Sequence, residues 1–419
     1  MEHPSPARPD ILWIVTTQWR GMALGCNGDS NARTPVLDAL ASRSINYVSA
    51  VTPHPFGPFA RAALLTGQPS PANGVVNYHD PLPRNSRTIA HALKEAGYDT
   101  AWFGKWHLAP RDTSAALVGE THARQPVLPE DRGGFAHWEG FEGGFQLNDP
   151  WLQGDGIGEP VRMPGYQADV VVARIRTWLE ARTTPPARAP WFAVLSLENP
   201  HPPYAAPAAG SPPPAPSELS LRANVPAGGT VEEQARRELS GYYAHIEATD
   251  RALAPLLAHP ALANTIIVFT SVHGDMHGSH GLFRKGWPHE ESLRIPLLLR
   301  FPRSLRRFQL AVTSSDLVSL LDVHHWTRRW AGNPAPDCPP QGPRPHQLCS
   351  MPSVVALPLQ CDRRWTAVRT ATHKLVLNED GTPWLLHDLC ADPLEQANLV
   401  NAPSSAHLIS ALRSAITGS

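Results

Sequence analysis

Charge is scarce in this chain. Only 17% of its 419 residues are Asp, Glu, Lys or Arg, and the formal net charge is -1. No basic field is present to neutralise phosphates, so nucleic acid is not an expected partner. Cysteine is sparse too: Cys26, Cys338, Cys349, Cys361 and Cys390. None stands in a CxxC or CxxxxC pair, which argues against zinc-ribbon and iron–sulfur readings. The odd count points to a reducing compartment. Cys338 and Cys349 flank a proline-rich loop and form the pair placed to bridge if the chain were exported. Long apolar runs are missing as well. No window approaches the ~18 apolar residues of a membrane span, and the N-terminus has no basic n-region followed by an apolar stretch. The expectation is a cytoplasmic protein with no membrane partner. The phosphate-loop, dinucleotide and HExxH motifs are all absent.

Proline is abundant, at 45 residues, and clusters at 202–216 and 334–343. It lacks the donor that helices and sheets need, so these are loops. The rest alternates. "DILWIV" (10–15) is strand-sized and apolar. "TPVLDALASRSINYVSAV" reads as a helix, with Thr34 as N-cap and Pro35 at N1, followed by a strand. "RAALLTG" is a helix stopped by Gly67, and "TIAHALKEAGYDTAWFGKWHLA" repeats helix, Gly stop, strand. "QADVVVARIRTWLEAR" leads to the strand in "WFAVLSLENPHPPY", and a long helical stretch precedes "NTIIVFTSVHGD". This pattern predicts an α/β fold: a mostly parallel sheet sandwiched by helices. The C-terminal part, with Asp-Gly at 380–381, predicts a smaller antiparallel subdomain. The expected division is residues 1–325 and 326–419. Polar clusters fall at four strand exits, "TTQWR", "GKWH", "ENPHPPY" and "SVHGD", where such sheets bind ligands.

On these stretches, and on "LGCNG", "NPHPPY", "GYYAHIEATD", "HGSHGLFRKG" and "HDLCADPLEQANLV", the chain resembles the sulfatase family of the alkaline-phosphatase-like superfamily. The resemblance covers nearly the whole length and keeps the family's order. It implies an alkaline-phosphatase-like fold. In the family, a C/S-x-P-x-R stretch carries the residue oxidised to formylglycine. Here that register gives "GPFAR": Gly57 stands at the nucleophile position, Phe59 at the proline, and Arg61 is retained. Glycine has no Cβ to oxidise, so the covalent route is absent at this locus. The family's paired Asp residues, which hold a divalent ion, align with Thr17 and Gln18. A further Asp aligns with Val272, next to His273. A hard cation needs anionic oxygens, so the resemblance implies a degenerate member without cofactor or metal, unless Asp275 restores part of a site.

The anion-contacting positions persist: Arg61, Lys105, His107, His201, His273 and Lys285. Arg61, Lys105 and Lys285, with Thr17 and Gln18, are candidate contacts to an acidic small molecule. Lys105, His107, His201 and His273 are candidates for proton transfer. Each has a plainer reading: Arg61 as a structural ion pair, the histidines as satisfied core residues, Lys285 as solvent-exposed, and Thr17 as a hydrogen-bonding cap rather than a replacement nucleophile. The histidines at 54, 79, 277, 280 and 289 raise a soft-metal site as a further alternative. Phe59, Trp19 and Trp106 are candidates for an apolar wall. The favoured function is a repurposed enzyme doing non-hydrolytic acid–base chemistry, such as elimination, isomerisation, condensation or cyclisation, in a biosynthetic pathway. The alternatives are a pseudoenzyme with a binding or scaffold role and a divergent ester hydrolase.

Overall fold

The computed structural model describes residues 8–182, 189–305, 311–335 and 344–417. Cys338, and most of the proline cluster around it, lies outside the described residues. In chain order the strands are β1 (Asp10–Thr16), β2 (Ile45–Tyr47), β3 (Asp99–Lys105), β4 (His137–Phe141), β5 (Trp151–Gly154), β6 (Gly158–Arg162) and β7 (Trp191–Ser196). They continue as β8 (Thr265–Ser271), β9 (Leu297–Arg300), β10 (Val312–Ser314), β11 (His346–Met351), β12 (Trp365–Thr370), β13 (His373–Asn378) and β14 (Pro383–Asp388). The first ten form one sheet in the order β10-β2-β9-β8-β1-β7-β3-β4-β5-β6. Its centre, β8-β1-β7-β3-β4, is parallel throughout.

Strand β1 shows why these runs are apolar on both faces. Side chains alternate across a strand, and each side of this sheet is covered. Ile11, Trp13 and Val15 join the core under helices Gly57–Thr66, Ile89–Glu95 and Leu320–Trp330. Leu12 and Ile14 join the core under helices Pro35–Ala41, Gln167–Glu180 and Gly229–Leu257. Trp13 also donates its indole N–H to Thr327 Oγ1 at 3.0 Å, fixing a helix to the central strand.

The cap at residue 34 differs from expectation. The Thr34 hydroxyl accepts from Gly25 N and bonds Asp38 Oδ1 instead of capping its own helix. The Asp250 carboxylate takes over, accepting from Val36 N at 3.0 Å and Leu37 N at 2.8 Å. A charged acceptor at a helix N-terminus is the stronger cap, and its position 214 residues from Val36 hides it from local reading.

Strands β11 to β14 form a separate antiparallel sheet. Gly381, with φ +80°, closes the turn between β13 and β14. The helix Ala406–Thr417 packs Leu412 against Val368, Leu375 and Leu386 of this sheet. The sheet is tied to the larger one by a buried ionic group: Arg369 and Lys374 both reach Glu290, at 3.1 Å each. The architecture is thus the expected α/β sandwich with a smaller antiparallel sheet. Among the described residues no helix is long and apolar enough to cross a membrane.

Candidate functional site

Four exits of neighbouring strands and one helix start meet at one end of the large sheet. The β1 exit brings Thr17 and Gln18, the β3 exit His107, and the β7 exit Glu198 and His201. The β8 exit brings His273 and Asp275, and helix Gly57–Thr66 begins here. They border a cavity of about 310 Å³. Thr17, Gly57, Lys105, His107, His201, His273 and Lys285 line it. Arg61 and Gln18 lie just behind the lining, while the Val272 side chain packs into the core. Gln18 (φ 66°) and His107 (φ 63°) both adopt left-handed backbone, rare for residues with a Cβ. Such a turn immediately after a strand re-aims the side chain, and sites are where that strain is tolerated.

Gly57 is the first residue of its helix and Arg61 stands one turn on, so both present to the same side. Arg61 is buried and donates through Nη2 to Thr17 Oγ1 at 2.7 Å. Among the described residues its Nε and Nη1 have no hydrogen-bond partner, nor does Nδ1 of His107. A Cβ on Gly57 would lie 3.0 Å from His107 Nδ1 and 3.2 Å from Arg61 Nη1. The unpartnered atoms therefore face the place where a side chain of residue 57 would stand. Burial lowers the Arg61 pKa to about 10, which leaves it charged at neutral pH.

Lys105 pairs with Glu198 at 2.6 Å, both fully buried. Its ammonium lies 5.0 Å from the centroid of the Phe145 ring, and that ring stacks on His201 at 4.5 Å. His201 Nδ1 bonds Pro202 O at 2.8 Å, and His273 Nδ1 bonds Gly274 O at 2.8 Å. A carbonyl can only accept, so both rings carry their proton on Nδ1 and offer Nε2 as an acceptor. Burial first, then the neighbouring cations, pushes the pKa of His107, His201 and His273 well below the usual histidine value. All three are neutral bases near pH 7.

Lys285 Nζ contacts His201 Nε2 at 2.8 Å and the Gln18 side-chain oxygen. The other end of the Gln18 amide donates to Asp275 Oδ2 at 2.5 Å, which also accepts from Tyr204 at 2.6 Å. Asp275 Oδ1 accepts from His277 N at 3.1 Å. Its carboxylate is held well below the usual range by His277, Arg284 and the Tyr204 hydrogen bond, against the opposing effect of burial.

These donors do not fit the family's divalent ion. Of the two carboxylates brought here by the strand exits, Glu198 is paired with Lys105 and Asp275 has both oxygens engaged. Thr17, Gln18 and His273 supply no charge, and an amine faces the Gln18 oxygen. The Thr17 hydroxyl gives its proton to Leu197 O at 3.0 Å and accepts from Arg61, so no histidine activates it. The other histidines lie elsewhere. His54 bonds Ser350 O and Ser70 N. His79 is exposed. His277 packs against Tyr242, and His280 stacks on His289 at 4.4 Å.

The apolar wall is also different from the expected one. Trp19 packs edge-on against Phe269, and Trp106 packs among Trp102, Phe135 and Trp138. Phe59 is in the core. Phe56, Tyr78 and Phe145 face the cavity instead, with Leu117 and Leu357.

A model of the sulfatase family matches residues 9–332. The chain belongs to the sulfatase family. An ulvan-active sulfatase of Formosa agariphila is 32% identical, covering 96% of this chain and 79% of that protein. A multifunctional alkaline phosphatase superfamily protein of Trinickia caryophylli is 26% identical, over 96% and 93%. Among solved structures, a phosphonate monoester hydrolase of Agrobacterium radiobacter superposes with TM-score 0.72 at 21% identity, over 98% and 95%.

Sequence reasoning missed the counter-charges. Glu198, directly after β7, neutralises Lys105. Glu142 accepts from Leu108 N and Ala109 N beside His107, and burial pushes its carboxyl up to about 7. The signal was available: buried cations at strand exits require buried anions, and Glu198 stands in "LENPHPPY". Phe145 and Tyr78 sit in loops with no periodicity to mark them.

Proposed function

We propose that this sulfatase-family protein binds an acidic small molecule in the cavity and acts on it by metal-independent acid–base chemistry, without a formylglycine nucleophile. The observation that carries the reading is the pair of unpartnered buried atoms, Arg61 Nη1 and His107 Nδ1, facing the empty side-chain position of Gly57. An anionic oxygen over Gly57 meets the Arg61 guanidinium and the helix N-terminus, which favour negative charge. Lys105 adds positive potential. The neutral histidines accept protons: among the described residues Nε2 of His273 has no partner, and Nε2 of His201 takes a proton from Lys285. Charge that develops on the ligand is stabilised by Arg61. Elimination, isomerisation, condensation and cyclisation need no more than this. Among the described residues no disulfide joins Cys26, Cys349, Cys361 or Cys390, and a cytoplasmic setting is part of this reading.

The test is calorimetric titration with sulfate, phosphate and aryl carboxylates in the presence of a chelator. Each binding ligand is then followed by NMR in D2O. Binding that survives chelation, is lost in Arg61→Ala, and is accompanied by deuterium incorporation supports the reading. Chelator-sensitive release of sulfate from an ester replaces it with a hydrolase. Binding without exchange or turnover replaces it with a pseudoenzyme.

A further inference from the structure

The chain has four lysines, at 94, 105, 285 and 374. Lys94 is exposed. Lys105 is paired with Glu198, and Lys374 with Glu290 and Glu395. Lys285 is buried and lines the cavity, yet among the described residues no carboxylate lies within ion-pair distance of its Nζ. Both hydrogen-bond partners of Nζ are neutral acceptors whose orientation is fixed from behind. The Gln18 amide is turned by Asp275, so its oxygen faces Lys285. The His201 ring is turned by Pro202 O, so its unprotonated Nε2 faces Lys285.

From this arrangement we infer that Lys285 is a carbonyl-capturing amine, forming an imine with an acidic aldehyde or 2-keto acid held in the cavity. The inference rests on the acidic-ligand reading above and names its substrate class. A neutral amine has two N–H groups and one lone pair. Two donations, to Gln18 and His201, use the N–H groups and leave the lone pair as the one valence not tied to protein. The charges around Nζ are mixed: Lys105 and Arg284 disfavour its ammonium form, while Asp275 and Glu198 favour it. Burial leads the lowering of its pKa, well below the usual lysine value. A desolvated lysine beside other cations is a recognised way to obtain a nucleophilic amine at neutral pH.

The step balances without a further reactant. The lone pair attacks the carbonyl carbon, forming a C–N bond as the C=O π pair moves to oxygen. His201 Nε2 takes one amine proton and returns it to that oxygen, giving the carbinolamine. The C–O bond then breaks with a second proton from nitrogen, and the oxygen leaves as water as C=N forms. The apolar walls of Phe56, Phe145 and Leu357 favour loss of water from the site. Arg61 and Lys105 are placed to hold the carboxylate.

The test uses the full chain with glyoxylate and cyanoborohydride at pH 7, followed by peptide mapping. The expected result is one carboxymethyl group on Lys285. A lowered pKa raises the free-amine fraction at pH 7, so Lys285 should be labelled faster than Lys94. Lys94→Arg leaves the labelling of Lys285 unchanged. Lys285→Arg abolishes it while circular dichroism reports a folded chain, and excess sulfate protects the wild type. If sulfate binds but Lys285 is labelled no faster than Lys94, the imine inference is overturned and the acidic-ligand reading stands. If sulfate neither binds nor protects, both fall.

Discussion

The Lys105 ammonium and the Glu198 carboxylate, 2.6 Å apart, join the exits of β3 and β7 with no exposed side-chain surface of consequence. Two charges this deep are stable only as a pair. Glu198→Ala should therefore cost about 3–5 kcal/mol, since it strands the lysine beside Arg61. Urea denaturation measures it. A loss under about 1 kcal/mol, the range of an exposed pair, contradicts the pairing.

Gly57 leads to a second expectation. Any Cβ there presses on His107 Nδ1 and Arg61 Nη1. Gly57→Ala should destabilise by about 1–3 kcal/mol, as overpacking does, and should abolish anion binding. His107→Ala in the same chain relieves part of the stability loss, and a double-mutant cycle measures the coupling. On the proposed metal-independent reading, Gly57→Cys should acquire no sulfatase activity even when oxidised to formylglycine, and release of sulfate from an aryl ester by that variant would contradict it.

Acid should unfold this protein early. Burial lowers His54 to about 4 and His324 to about 3, and holds His107, His201 and His273 well below their usual value. In the unfolded chain each takes up a proton near pH 6.5. Below that pH the unfolded state binds more protons, so stability falls as pH drops from about 6.5 towards 4. Each histidine adds a slope of up to about 1.4 kcal/mol per pH unit. Thermal melts between pH 8 and pH 4 test this. A flat profile contradicts it.

Calcium should do nothing. With Asp275 engaged by Gln18, Tyr204 and His277 N, neither millimolar Ca²⁺ nor a chelator should shift Tm. A concentration-dependent rise in Tm with Ca²⁺ would mean that the donors rearrange around the ion.

Much of this was legible in the sequence, for identifiable reasons. The strands β1, β3, β7 and β8 are apolar on both faces because helices cover both, and that pattern is local. Gly57, Lys105, His107, His201 and Lys285 stand in short stretches, so their meeting at one cavity follows from the strand exits. What escaped notice is what distance in sequence conceals. Asp250 caps a helix more than two hundred residues away. Glu198 balances a lysine on the next strand. Gln18 turns its oxygen to Lys285 only because Asp275 holds its nitrogen. Trp106 was an attractive cavity wall by position, but its left-handed neighbour His107 turns into the site while the indole goes to the core.

The most direct measurement is a crystal structure grown with an aryl sulfate and Ca²⁺ together. Intact ester, with an anionic oxygen over Gly57 in reach of Arg61 and no ion beside Gln18, is the predicted result. Free sulfate with a divalent ion coordinated by Asp275 contradicts it.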